Sequence, residues 1–245
     1  MIQLKDLSVG YGRRRLLSEV SATFEAGNLT ALIGRNGSGK STLLKTMARL
    51  NDRYSGTIMI AGNDLREISA RTLAGLLSFV NTERTRIENL SCRHVVSMGR
   101  APYTNWIGRL TDNDIAIVDK ALASVGMSDY AERTMDKMSD GECQRIMIAR
   151  ALAQSTPVIL LDEPTSFLDM PNRYELVRLL HMLAREEGKC VIFSTHELDI
   201  AVRMCDSIAL VDNGSLYNMP VGDMISAGHI DRLFGSSGFD IPYMR

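Results

Sequence analysis

The segment Gly34-Arg35-Asn36-Gly37-Ser38-Gly39-Lys40-Ser41-Thr42 constrains this chain more than any other. It fits G-x-x-x-x-G-K-[ST], and it stands between an apolar strand-like run at 29–33 and a helix-like stretch at 42–50. Strand, glycine loop and helix in that order make a cradle for phosphate. Glycines let successive backbone N–H groups face phosphate oxygens with no Cβ in the way. The following helix offers its positive N-terminal end to the anion. Lys40 supplies a point charge to the β- and γ-phosphates, and the Ser41 hydroxyl is of the right kind to hold Mg²⁺. A nucleotide hydrolase and a nucleotide kinase both remain open on this loop alone.

The pattern around the loop sets the fold class. Short alternating segments at 2–4, 7–9 and 20–24, broken by Gly10-Tyr11-Gly12 and Gly27-Asn28, read as antiparallel strands. The run at 29–33 reads as a buried central strand. A hairpin is expected at 56–64, and a mostly helical stretch from about 86 to 150. Thr111 caps one helix of that stretch, with Asp114 three residues on. Strands at 158–161, 191–194 and 208–211 then alternate with helices at 173–187 and 198–205. Strand–helix alternation predicts a parallel, doubly wound sheet. The expectation is an α/β chain: a P-loop NTPase parallel-sheet core with an N-terminal antiparallel β subdomain and an inserted helical subdomain at about 86–150, all within a single domain of 1–245.

Further acids and a histidine accompany the loop. The strand Val158-Ile159-Leu160-Leu161 ends in Asp162-Glu163-Pro164. A strand ending in Asp brings that carboxylate to the sheet edge where ligands bind. Asp162 is therefore the candidate Mg²⁺ holder, and Glu163 the candidate group to orient or deprotonate an attacking water. His196 follows the strand at 191–194 and is placed to touch a γ-phosphate or that water. Taken singly, a strand stopping at a polar turn and a surface His explain the same residues.

Met138-Ser139-Asp140-Gly141-Glu142-Cys143-Gln144-Arg145 precedes a helix, and Ser139-x-x-Glu142 is by itself a capping box. Capping does not account for the fixed order of phosphate loop, Ser139 segment, Asp162-Glu163, Ser166-Phe167-Leu168-Asp169 and His196. That order resembles the nucleotide-binding subunit of ABC transporters over essentially the whole chain. The segment 138–142 is similar to the LSGGQ signature, with Met138, Asp140 and Glu142 as departures and with Ser139 and Gly141 kept. The segment 166–169 resembles the D-loop, so Asp169 falls in it. Tyr11 stands where the family stacks an aromatic on adenine. The resemblance implies ATP and Mg²⁺ as cofactors and a head-to-tail homodimer, with Ser139, Gly141 and Glu142 of one copy meeting the ATP held by the other. It also implies that ATP-driven closure moves integral membrane permease subunits. The family glutamine at the end of the strand at 77–83 has no counterpart: Thr82 aligns with it. Thr82 as a ligand, Glu83 as a substitute and a register shifted by one all stay open.

Composition gives no argument for a nucleic-acid binder. The formal net charge is −1, so no basic footprint of the size nucleic acid requires is present. No signal-like leader and no apolar run long enough to span a bilayer occur. A peripheral position on the cytoplasmic face of the cell membrane is expected, with pores supplied by other chains. The four cysteines form no CxxC pair and read as reduced structural thiols. The segment Met98-Gly99-Arg100-x-Pro102-Tyr103, the capped helix after Thr111 and the tail at 222–234 are similar to ATPases of iron–siderophore, haem or cobalamin importers. An indirect partner is then a substrate-binding protein. The alternatives are an ABC ATPase for another cargo, a soluble non-transport ABC ATPase, and a P-loop kinase. The long separation of Lys40 from Asp162 and the 139–142 segment disfavour the kinase.

Overall fold

The computed structural model describes residues 1–11, 14–83 and 86–234, leaving aside the side chains at 11, 233 and 234. Strands β1 (Ile2–Tyr11), β2 (Arg14–Phe24), β4 (Tyr54–Ile60) and β5 (Asn63–Asp64) form an antiparallel sheet ordered β2-β1-β4-β5. The sequence suggests two short strands at 2–4 and 7–9; they are one strand with a register shift between them, where Asp6 takes φ 48°. A bulge turns the chain locally without ending the ladder.

The second sheet is ordered β10-β9-β3-β8-β7-β6. It contains β3 (Leu29–Gly34), β6 (Leu77–Val80), β7 (Val158–Leu161), β8 (Cys190–Ser194) and β9 (Ser207–Asp212), all parallel, with β10 (Ser215–Pro220) antiparallel at the edge. Helices α1 (Lys40–Met47), α2 (Ala70–Leu76), α3 (Cys92–Ser97), α4 (Asp112–Ser124) and α5 (Asp140–Ala153) precede β7. Helices α6 (Met170–Arg185), α7 (Leu198–Met204), α8 (Val221–Ser226) and α9 (His229–Phe234) follow it. Helix α6 begins three residues before the sequence suggests, because Asp169 caps it through Asn172 N.

The parallel strands are apolar on both faces because both faces are covered. Ile159, Leu161, Val191, Phe193, Ile208 and Leu210 point into the core shared with α3 to α9. Their neighbours Val158, Leu160, Cys190, Ile192, Ala209 and Val211 point into the core shared with α1 and the antiparallel sheet. A period of two thus feeds two cores at once. The consequence for function lies at the strand ends: β3, β6, β7 and β8 are adjacent, so residues just past 34, 80, 161 and 194 meet at one edge.

Candidate functional site

At that edge the loop after β3 makes its turn through two strained glycines. Gly34 has φ 151°, and a Cβ there would stand 2.5 Å from the Val211 carbonyl oxygen. Gly39, the N-cap of α1, has φ 114°, and a Cβ would press to 3.1 Å from Leu16 Cβ. Any other residue in these two places costs strain or moves a wall. Lys40 is buried and folds back, donating from Nζ to the carbonyls of Gly34 (2.8 Å) and Arg35 (3.4 Å). Burial pushes its ammonium below the ordinary lysine range, against the pull of Glu163 and Asp162. A desolvated cation over a glycine loop is what a polyphosphate would relieve. Ser38 Oγ is buried in the same loop without a hydrogen-bond partner.

The acids arrive from β7. Asp162 N donates to Val80 O at 2.8 Å, which fixes the chain where β6 and β7 end. Ser41 Oγ donates to Asp162 Oδ1 at 2.9 Å, so the α1 hydroxyl and the strand-end carboxylate converge. Ser194, fully buried at the end of β8, donates from Oγ to the same Oδ1 at 2.6 Å and accepts from Glu163 N at 2.8 Å. Glu163 sits at φ 46°, in the left-handed region that a non-glycine residue adopts only under constraint. Its carboxylate accepts from Ser166 Oγ (3.1 Å) and lies 3.9 Å from His196 Nδ1. His196 is 59% exposed at its side chain and lines a cleft with Gly34, Arg35 and Asn36. A cavity of about 560 Å³ is lined by Arg14, Leu16, Asn36, Gly37, Gly39, Lys40, Ser41, Thr42 and Glu163.

This geometry fits a nucleoside triphosphate with a hard divalent cation. The loop has the space, the charge and an unsatisfied hydroxyl. The cation would find oxygen donors in Ser41 Oγ and Asp162, the donor chemistry Mg²⁺ takes. Of the sequence-predicted set, 34–42, Asp162, Glu163 and His196 come together here. Thr82 joins them, its Oγ1 donating to Asp162 O at 3.0 Å. Glu83 instead faces Lys45, with 3.9 Å between Oε1 and Nζ, and is 76% exposed at its side chain. Tyr11 ends β1, and its side chain lies outside the described residues.

The segment 139–142 contributes nothing to the lining of that cavity. Its capping box is formed in full: Ser139 Oγ accepts from Glu142 N at 3.3 Å, and Glu142 Oε2 accepts from Ser139 N and Oγ, each at 2.8 Å. Those bonds, the one from Ser139 N first, hold the Glu142 carboxyl below its usual range. Asp140 pairs with Arg86 at 2.8 Å. A Cβ on Gly141 would stand 3.0 Å from Phe167 O, so 139–142 packs on 166–169 within one chain. Asp169 caps α6. Ser194 is the participant that sequence reasoning misses, because a serine ending an apolar strand carries no motif.

A family model described as ABC transporter matches residues 17–166. The chain belongs to the ABC transporter family. Relatives in this family include the achromobactin transport ATP-binding protein of Dickeya dadantii, 37% identical over 88% of this chain and 80% of its own length. The cobalamin import ATP-binding protein of Halobacterium salinarum is 37% identical over 89% of this chain. The chain spans about half of that relative, 54% of its length. Among solved structures, a candidate metal-chelate type ABC transporter in an inward-facing conformation superposes with TM-score 0.83 at 26% identity, over 96% of this chain and 88% of that one. A dimeric bacterial ABC transporter cassette gives TM-score 0.80 at 26% identity, over 90% and 99%. This chain is therefore an ABC ATPase with the ATP-binding cassette fold, and among its described residues no helix is long and apolar enough to cross a membrane.

Proposed function

We propose that this ABC ATPase powers uptake of an iron chelate or cobalamin through separate permease chains, as a head-to-tail homodimer on the cytoplasmic face of a membrane. The cargo class rests on the printed functions of relatives at 37% identity. The observation that carries the dimer is the split site: the cavity is lined by phosphate-loop residues and Glu163, while the capped Ser139 end of α5 lies elsewhere on the chain. Each ATP would take Gly34, Arg35, Asn36, Gly37, Ser38, Gly39, Lys40, Ser41 and Thr42 from one copy, and Ser139, Gly141 and Glu142 from the other. Tyr11 would stack on the adenine. Asp169 would stand in the segment beside the partner's site.

Mg²⁺, when bound, would supply positive charge against the negative charge that develops on the phosphates. Ser41 and Asp162 would hold it, with Thr82 alongside. Glu163 would orient the attacking water and accept its proton, and His196 would hold the γ-phosphate end of the line. Residues from about 86 to 150, with α3, α4 and most of α5, would be the helical subdomain that leans on the permease within one cassette of 1–245. A substrate-binding protein would act on the permease and not on this chain.

Glu163→Gln keeps the shape and removes the base. The expected outcome is ATP binding with turnover lowered roughly 10²–10⁴-fold and a stable ATP-bound dimer on size-exclusion chromatography. Turnover at the native rate would remove Glu163 from this role. Co-purification with a ribosome instead of a permease would sink the transport reading.

A further inference from the structure

The 3₁₀ turn Met98–Tyr103 is clasped to the last turn of α5 by bonds that the nucleotide site does not use. Arg100 Nη1 donates to Ala153 O at 2.7 Å and to Ser155 Oγ at 3.1 Å, while its Nε donates to Asp114 Oδ1 at 2.8 Å. The Tyr103 ring lies 4.1 Å from the guanidinium carbon, and its hydroxyl donates to Gln154 O at 2.8 Å. Gly99 approaches so closely that a Cβ there would stand 2.3 Å from Arg150 O. Carbonyls at a helix C-terminus have no intrahelical partner and carry the negative end of its dipole. Here a cation and a phenol from one turn satisfy two of them.

The clasp has two unusual properties. Its ion pair is buried, with side chains of Arg100 and Asp114 only 6% and 7% exposed. Burying such a pair is no efficient route to stability, but it specifies geometry sharply. Its contacts to the end of α5 also include directional hydrogen bonds, which do not slide as apolar surfaces can. A displacement of α5 must therefore carry the 98–103 turn along with it. Helix α5 has 14 residues, about 21 Å of rigid rod. Its far end is Ser139, and the turn leads directly into a loop where Trp106 is 94% and Ile107 69% exposed. Asp114 completes the connection, since its other oxygen accepts from Thr111 N at 2.9 Å and caps α4, where that loop ends.

We infer that Arg100 and Tyr103 are positioning residues that make the Trp106 loop follow α5 when ATP draws Ser139 toward a second copy. The inference rests on the head-to-tail reading above. Trp106 is the one tryptophan of the chain, so its emission reports this loop directly.

The experiment uses the full chain carrying Glu163→Gln, titrated with ATP and Mg²⁺, with light scattering and Trp106 emission read in the same sample. Emission is expected to shift in step with dimer formation. Adding Tyr103→Phe, which keeps the ring and deletes one bond, should cost most of the shift per dimer formed. Arg100→Lys should do the same more severely; if it fails to fold, Tyr103→Phe decides. A purely structural clasp would lower the melting temperature and leave the shift per dimer unchanged, which overturns the inference. Emission that stays constant through dimer formation overturns it too. A Glu163→Gln chain that binds ATP and stays monomeric overturns both this inference and the head-to-tail reading, and light scattering alone tells that case from the others.

Discussion

Ser194 shows what a single residue does at this site. One hydroxyl fixes the Asp162 carboxylate and satisfies the Glu163 amide at its strained φ. Removing it leaves that part-buried amide without this partner and leaves Ser41 alone to hold the carboxylate oxygen. Partners behind a metal-holding carboxylate are typically worth 10–100-fold. Ser194→Ala is therefore expected to lower ATP turnover by roughly that factor and to raise the Mg²⁺ concentration needed for half-maximal rate, with Ser194→Thr recovering most of both. A Mg²⁺ titration of all three proteins checks it; an unchanged Ser194→Ala curve would remove Ser194 from the site. The phosphate loop, Asp162 and Glu163 are legible in sequence because their spacing is dictated by local backbone geometry. Ser194 is not, because its partners lie 31 and 32 residues away. The neighbouring choice between Thr82 and Glu83 is also one that spacing leaves open. With Thr82 bonded to Asp162 O and Glu83 facing Lys45, Thr82→Ala should reduce permease-stimulated ATPase several-fold more than Glu83→Ala. Equal losses would count against Thr82.

At the scale of elements, the parallel strands are the most legible part, while some helix starts, that of α6 among them, are not. The strand at 158–161 has the bounds its apolar run suggests, because both faces of a parallel strand must be covered and the run can only be as long as the cover. Helix α6 starts early because the cap, Asp169, resembles a loop residue until its partner Asn172 is known. Helix α4 is the opposite case: Thr111 and Asp114 announce its start, and the same Asp114 also holds Arg100. That double duty has a pH signature. Hydrogen bonds from the Thr111 side chain and backbone, then from Arg100, hold the Asp114 carboxyl down from 3.8 to about 2. The folded value lies below the unfolded one, so the contribution to stability is present above the unfolded value and is lost as pH falls through the folded one. Asp114→Asn leaves Arg100 buried without its counter-charge and is expected to cost about 3–5 kcal/mol at neutral pH. The gap in melting temperature between the two proteins should narrow as pH falls from 3.8 toward about 2. A gap independent of pH in that window would show that the carboxylate charge is not what stabilises this junction.

Across the whole molecule, the order of motifs identifies the family, yet the order alone does not say which residues share a site. The fold brings 34–42, 82, 162–163 and 196 to one sheet edge through the adjacency of β3, β6, β7 and β8. The 139–142 segment is held off that edge at the start of α5, satisfied by its own capping box. A site completed in trans makes a prediction that a site completed in cis cannot. Lys40→Ala removes the phosphate-loop charge, and Ser139→Phe blocks the signature end, so each homodimer should have lost ATPase activity. Mixing the two chains assembles heterodimers in which one site takes its loop from the Ser139→Phe chain and its signature from the Lys40→Ala chain, both intact. Random pairing makes half the dimers mixed, each with one good site of two, so activity is expected to return to at most about a quarter of the native rate. The mixture has to be exchanged long enough for subunits to redistribute, and ATPase followed against mixing ratio should peak at equal amounts. A mixture that stays as inactive as its two components at every ratio would mean that each site is built within one chain, and the rigid span of α5 would then need another purpose.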